Sequence, residues 1–155
     1  MSPIKVKGAS PWYTILWAGL TCGVLDGLSA TVVSALFGGT PIRLFQGIAS
    51  GLLGRNAFQG GAGTAVLGIL LHFTVALGAA TVYYVASRRL PVLIEHALIC
   101  GIAYGAAVHL FMTFVVIPLS AIGSRPIVLR SFLAFLLVSI VVVGPSIALT
   151  IRRRG

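Results

Sequence analysis

Asp26, His72 and His109 are the residues of this chain whose types and positions point to chemistry. Each falls near the middle of a different long apolar stretch, while the other charged residues gather near the ends of such stretches. At a helical rise of about 1.5 Å per residue, Asp26 lies about 16 Å from Phe37, His72 about 16 Å from Gly61 and His109 about 15 Å from Leu119. The three depths agree within the ~3–6 Å uncertainty that soft helix boundaries bring. A charged side chain at the bilayer centre costs several kcal/mol, so three ionisable groups at one level call for a function or a pairing. Imidazole takes up and releases a proton near neutral pH. A carboxylate beside it neutralises an imidazolium or a bound cation. The functional reading is a buried polar site, either a proton relay or a binding point for a small ion or polar solute. The alternative is interhelical glue, in which the same groups bond across helices and fix packing without transport.

Helical phase gives a second indication. His109 shares a face with Gly101, Gly105 and Thr113, His72 with Gly68 and Ala76, and Asp26 with Gly23 and Ala30. Small faces are where membrane helices meet, which predicts that all three side chains turn toward the bundle interior.

Sharper chemistries fit less well. Two histidines at matched depth have the ligand type for an axially bound haem, but the chain offers a single pair and little room. A His-His-Asp set has zinc chemistry, but no close pair such as HxxxH is present. Cys22 and Cys100 lie in different apolar stretches without CxxC spacing, so they read as small packing residues. No nucleophile elbow, phosphate loop or nucleotide fingerprint occurs. The expectation is therefore a non-enzymatic protein with no cofactor.

The elements that must position these groups follow from composition. The chain has 155 residues, of which 58% are hydrophobic and 8% charged, and its mean hydropathy is +1.08. That suits a bilayer and a single domain over residues 1–155. Four stretches are long enough to span: Trp12–Phe37, Gly61–Ser87, Val92–Leu119 and Ile127–Ile151. They do not alternate as barrel strands would, so the fold class is all-α, a four-transmembrane-helix bundle. The net charge of +9 would suggest nucleic acid in a soluble protein, but the basic residues sit at helix ends and no stacking aromatics accompany them. They read as flanking charge, with Arg88, Arg89, Arg152, Arg153 and Arg154 meeting anionic lipid head groups. Lys5, Lys7 and those five arginines share the side of the termini, against Arg43, Arg55, Arg125 and Arg130 on the other. The positive-inside rule then places both termini in the cytoplasm. A cleaved leader is not expected, since the first apolar stretch is too long for one and no Ala-x-Ala site follows.

Between the first two spans the chain stays apolar. Thr40 can cap a helix and Pro41 fits its first position. Ile42, Phe45, Ile48, Ala49 and Leu52 recur at helical spacing, with Arg43, Gln46 and Ser50 on the other side. This predicts a short helix over 41–53, lying flat in the outer interface in preference to re-entering the bilayer. Gly19, Gly23 and Gly27 form a small-residue face on the first span. The short turn from Arg88 to Pro91 predicts that spans two and three form an antiparallel hairpin, with Glu95 in the first turn of span three near Arg88 or Arg89. Gly144-Pro145 predicts a kink in the fourth span.

The segments IASGLLGRNAFQGG, LGILLHFTVALGAATVYYVASRRLP and GIAYGAAVHLFMTFVVIPLSAIG, covering Ile48 to Gly123, resemble small bacterial multi-pass inner-membrane proteins. A more distant similarity is to the YagU-like inner-membrane family, where a span histidine precedes a proline that opens the next span, as His72 precedes Pro91 here. The resemblance implies a bacterial inner-membrane location and no particular chemistry. Two roles are expected on these grounds: a small proton, ion or solute transport protein using Asp26, His72 and His109, or an accessory or assembly subunit of a larger membrane complex. A homo-oligomer is compatible with both.

Overall fold

Backbone groups in lipid find no water, so an apolar stretch must bond its own N–H and C=O groups, and a helix does so. The computed structural model describes residues 10–124 and 126–154. It contains four helices long and apolar enough to cross a membrane: Pro11–Leu36, Gly61–Ser87, Ala97–Leu119 and Leu129–Arg154, here the first to fourth spans. A lateral helix, Pro41–Leu53, and a tight 3-10 turn, Gly54–Gln59, connect the first two. The chain is thus an all-α, four-span membrane protein, with no strand among the described residues.

Three spans begin and end close to where hydropathy places them. The third starts later than expected. Val92–Glu95 is a separate turn, and His96 leaves helical geometry at φ −110° and ψ 43°. The break frees the Leu93 carbonyl, which accepts a bond from the Tyr83 hydroxyl at 2.9 Å. Glu95 makes no ion pair with Arg88 or Arg89, since the pair Asp26–His72 is the one such contact among the described residues. Glu95 and Arg88 instead border a small depression beside Tyr84 and Ile151.

The spans pack in the order second, first, fourth, third, with the lateral helix on the second. The predicted hairpin of spans two and three is therefore looser than the tight turn implies. At the end of the bundle that carries the chain termini they touch: Tyr83 and Tyr104 meet edge-on at 5.0 Å, and the Tyr104 hydroxyl donates to the Ala79 carbonyl at 2.7 Å. Ala18, Cys22, Ala76, Ala80, Ile147 and Ala148 belong to the core at this end. Toward the other end the second and third spans part, because the third follows the fourth. Tyr104→Phe removes a bond across the narrow end of this divergence. It should cost about 0.5–1.5 kcal/mol, read as a lower midpoint in detergent unfolding.

The third and fourth spans cross with backbones in contact. A Cβ on Gly144 would collide with the Gly101 carbonyl, and one on Gly105 with the Ser139 carbonyl. Each of these spans also contains one widened π turn, Met112–Val116 and Ser139–Val143. Both lie just before a proline, Pro118 and Pro145. Proline offers no N–H to the carbonyl four residues back and crowds it, and a π turn absorbs that mismatch. The kink expected at Gly144-Pro145 takes this form. At the termini end the Arg154 guanidinium lies over Trp17 at 4.9 Å and over Tyr13 at 5.4 Å. Arg154 is thus engaged with the first span, while Arg88, Arg89, Arg152 and Arg153 stay exposed.

The lateral helix starts as expected, with Thr40 Oγ1 accepting from the Arg43 N–H and Pro41 in the first turn. Its facing differs from the expectation. Gln46 and Ser50 are buried, whereas Ile42 and Leu52 are exposed. Gln46 donates to the Gly61 carbonyl at 3.0 Å, and Ser50 to the Gly47 carbonyl at 2.6 Å. Gln46 thus bonds inward and Ile42 and Leu52 face outward, while Arg43 stays exposed and Ala49 is buried, so the helix does not divide into a wet polar side and a buried apolar one. The Phe45 backbone packs directly on Gly68, where a Cβ would collide with its carbonyl. Gly68 lies about 10 Å along the second span from Gly61, so the lateral helix reaches well into the bundle. Its far end is tied to the turn after the third span by the Ala121 N–H, which donates to the Gly51 carbonyl at 2.9 Å.

Candidate functional site

Where spans two and three part, a cleft of about 810 Å³ opens. The first and fourth spans form its back, the lateral helix and the turn after the third span border its mouth, and Cys22, Ala76, Ala79 and Val143 lie on its wall toward the packed core. Asp26, His72 and His109 all line it. The three side chains expected to share small-residue faces thus border one cleft.

Asp26 and His72 come together. His72 Nδ1 stands 3.9 Å from Asp26 Oδ2. The other ring nitrogen, Nε2, is 2.9 Å from the Gly23 carbonyl. Glycine makes this possible: Gly23 and Gly27 leave room on the first span for Phe73 and for the imidazole itself. Phe45 and Phe73 hold the ring edge-on from two sides, at 6.2 and 5.6 Å.

The Gly23 contact fixes a proton. A carbonyl only accepts, so Nε2 carries the hydrogen and donates it. In a neutral imidazole Nδ1 then presents a lone pair to Asp26. Two lone-pair groups face one another unless one further proton is present, on either the imidazole or the carboxyl group. Asp26 and His72 therefore form a close ionisable pair at 3.9 Å, net neutral when it holds one further proton and −1 without it. A bare carboxylate at mid-bilayer costs about 3 kcal/mol. An imidazolium at about 4 Å returns a similar amount at an effective dielectric near 20. The pair is tolerated when it holds a proton or a cation and penalised when it is empty.

His109 is on the opposite wall and makes no hydrogen bond or ion pair with Asp26 or His72. Its Nδ1 is 3.5 Å from Ser139 Oγ. The serine hydroxyl donates to the Phe135 carbonyl at 3.0 Å, so it accepts from the imidazole. Nε2 is then a lone pair, enclosed and without a partner. The ring leans on Phe132 at 5.0 Å. The site is thus a pair plus a separate imidazole across a cleft. Among the described residues no group of three or more His, Cys, Asp or Glu side chains is placed to hold a metal ion.

Ser139 escaped the sequence reading. Its signal was the alignment of Ser131, Phe135 and Ser139 on one helical face, obscured because serine is common in membrane helices and bonds its own backbone. Gln46, expected opposite the apolar positions of the lateral helix, is buried and bonded to the start of the second span.

Fold and site together define a four-span α-helical membrane protein with an ionisable pair facing an interhelical cleft. Comparison with protein-family models, with curated proteins and with solved structures finds no match to this chain.

Proposed function

We propose that this chain is a small, non-enzymatic transport protein of the bacterial inner membrane, with both termini cytoplasmic. Its working site is the Asp26–His72 pair, with His109 on the facing wall. The observation that supports this reading is the contact of Asp26 with His72 at 3.9 Å on the wall of a cleft that His109 also lines. Intramembrane ionisable groups that face a cavity and pair with one another mark ion and proton paths. A cleft within one chain removes the need for an oligomer to build the pathway. The exposed Arg88, Arg89, Arg152 and Arg153 form the surface for anionic head groups.

A second reading has its own observation. The bond from His72 to the Gly23 carbonyl ties the second span to the first, as an accessory subunit held together by interhelical glue would need. Purified protein in liposomes separates the two. Transport predicts a pH-dependent proton flux that His109→Gln lowers without loss of helix content. Glue predicts no flux above that of empty liposomes, and that result would overturn the transport reading.

A further inference from the structure

The chemistry of the cleft narrows what it takes. Its volume, about 810 Å³, falls in the range of small-molecule sites. Its walls are mostly aliphatic and aromatic, with Phe114, Phe132 and Phe135 contributed by the third and fourth spans. Asp26 is the one carboxylate, and no lysine or arginine is among the described residues that line it. The carboxylate is also the more open member of its pair, with 27% of its side chain exposed against 11% for His72. A ligand in the cleft thus meets Asp26 first, with His72 pinned behind it by the Gly23 carbonyl.

Among the described residues, an anion finds no lysine or arginine on these walls. A neutral apolar molecule would fill them but leave the pair to hold its own proton. A hard metal ion would gain one carboxylate and lose its hydration shell to hydrocarbon. A monovalent organic cation with a large apolar body satisfies both features: the body covers the apolar wall, its charge meets Asp26, and aromatic rings favour a cation over their faces.

We propose that the cleft binds lipophilic organic monocations in exchange for the proton shared by Asp26 and His72. This rests on the transport reading above and names its substrate class. When the cation arrives, the shared proton leaves to water. Asp26 stays ionised against the cation, and His72 stays neutral with Nε2–H on the Gly23 carbonyl. Charge is conserved at the site: the pair is neutral with the proton, and neutral again as carboxylate plus cation.

The test uses the full chain in detergent, with tetraphenylphosphonium as the cation and triphenylphosphine oxide as its uncharged counterpart. Calorimetry should show the cation binding at least tenfold more tightly than the neutral compound. In weakly buffered solution up to one proton should be released per cation bound. Affinity should fall as pH is lowered, by up to tenfold per pH unit. In Asp26→Asn the preference for the charged compound should vanish. Helix content and elution volume report whether that variant is folded, and the pH competition in the unaltered protein stands without it. Equal affinity for the two compounds, or cation binding without proton release, would overturn the proposal. Proton flux in liposomes alongside either failure would sink the substrate class alone, whereas failure together with absent flux would remove the transport reading as well.

Discussion

On the transport reading, Asp26→Asn should lower pH-dependent proton flux in liposomes by about 100-fold or more, while leaving the bundle assembled. The expected size follows from what a positioned proton-transfer group contributes, on the order of 100- to 10,000-fold. The substitution is isosteric. Its amide presents an N–H toward His72 Nδ1, a donor where the carboxylate set one acceptor facing another. The ring keeps its Nε2–H on the Gly23 carbonyl, so the tie between the first and second spans survives. What disappears is the negative charge that made the site hold a proton. Unchanged flux, with the variant folded as judged by elution volume and helix content, would contradict a working role for Asp26.

The largest stability effect belongs to Gly144. A side chain there meets the Gly101 carbonyl and the Gly105 amide nitrogen, both backbone atoms on the third span, so no rotamer change relieves the clash. Gly144→Leu should force the third and fourth spans apart and cost about 3 kcal/mol or more, the upper part of the range for overpacking. The same movement would carry Ser139 away from His109. Gly78→Ala is the contrast, since nothing stands within 4 Å of a Cβ there. It should be neutral or stabilise by up to about 1 kcal/mol, from helix propensity. Midpoints of denaturant unfolding in detergent read both, and similar costs for the two would mean that the close crossing at Gly144 does not hold the bundle.

Much of this architecture was legible because lipid imposes simple rules. Length and hydropathy placed the spans. Small residues beside Asp26, His72 and His109 showed which way each side chain turns. Thr40 and Pro41 marked the start of the lateral helix. Three features were not legible, each for a physical reason. The divergence of spans two and three depends on the third span following the fourth, which comes from backbone fit at Gly101, Gly105 and Gly144 and not from the length of a turn. The inward facing of Gln46 depends on the bond it finds at Gly61, and a period of 3.6 residues does not say which face meets lipid. The partner of His109 depends on how the third and fourth spans cross, and the alignment of Ser131, Phe135 and Ser139 on one helical face does not say which neighbour that face meets. Matched depth brought Asp26 and His72 into contact but left His109 across the cleft, because depth fixes height in the bundle and says nothing of distance across it.

The most direct measurement is the ¹⁵N spectrum of the His72 ring in bilayers, followed across pH in the unaltered protein and in Asp26→Asn. Nε2 should remain protonated throughout, and the Nδ1 signal should differ between the unaltered protein and Asp26→Asn. A ring whose Nε2 carries the lone pair, or an Nδ1 signal indifferent to Asp26, would contradict a proton held between these two side chains.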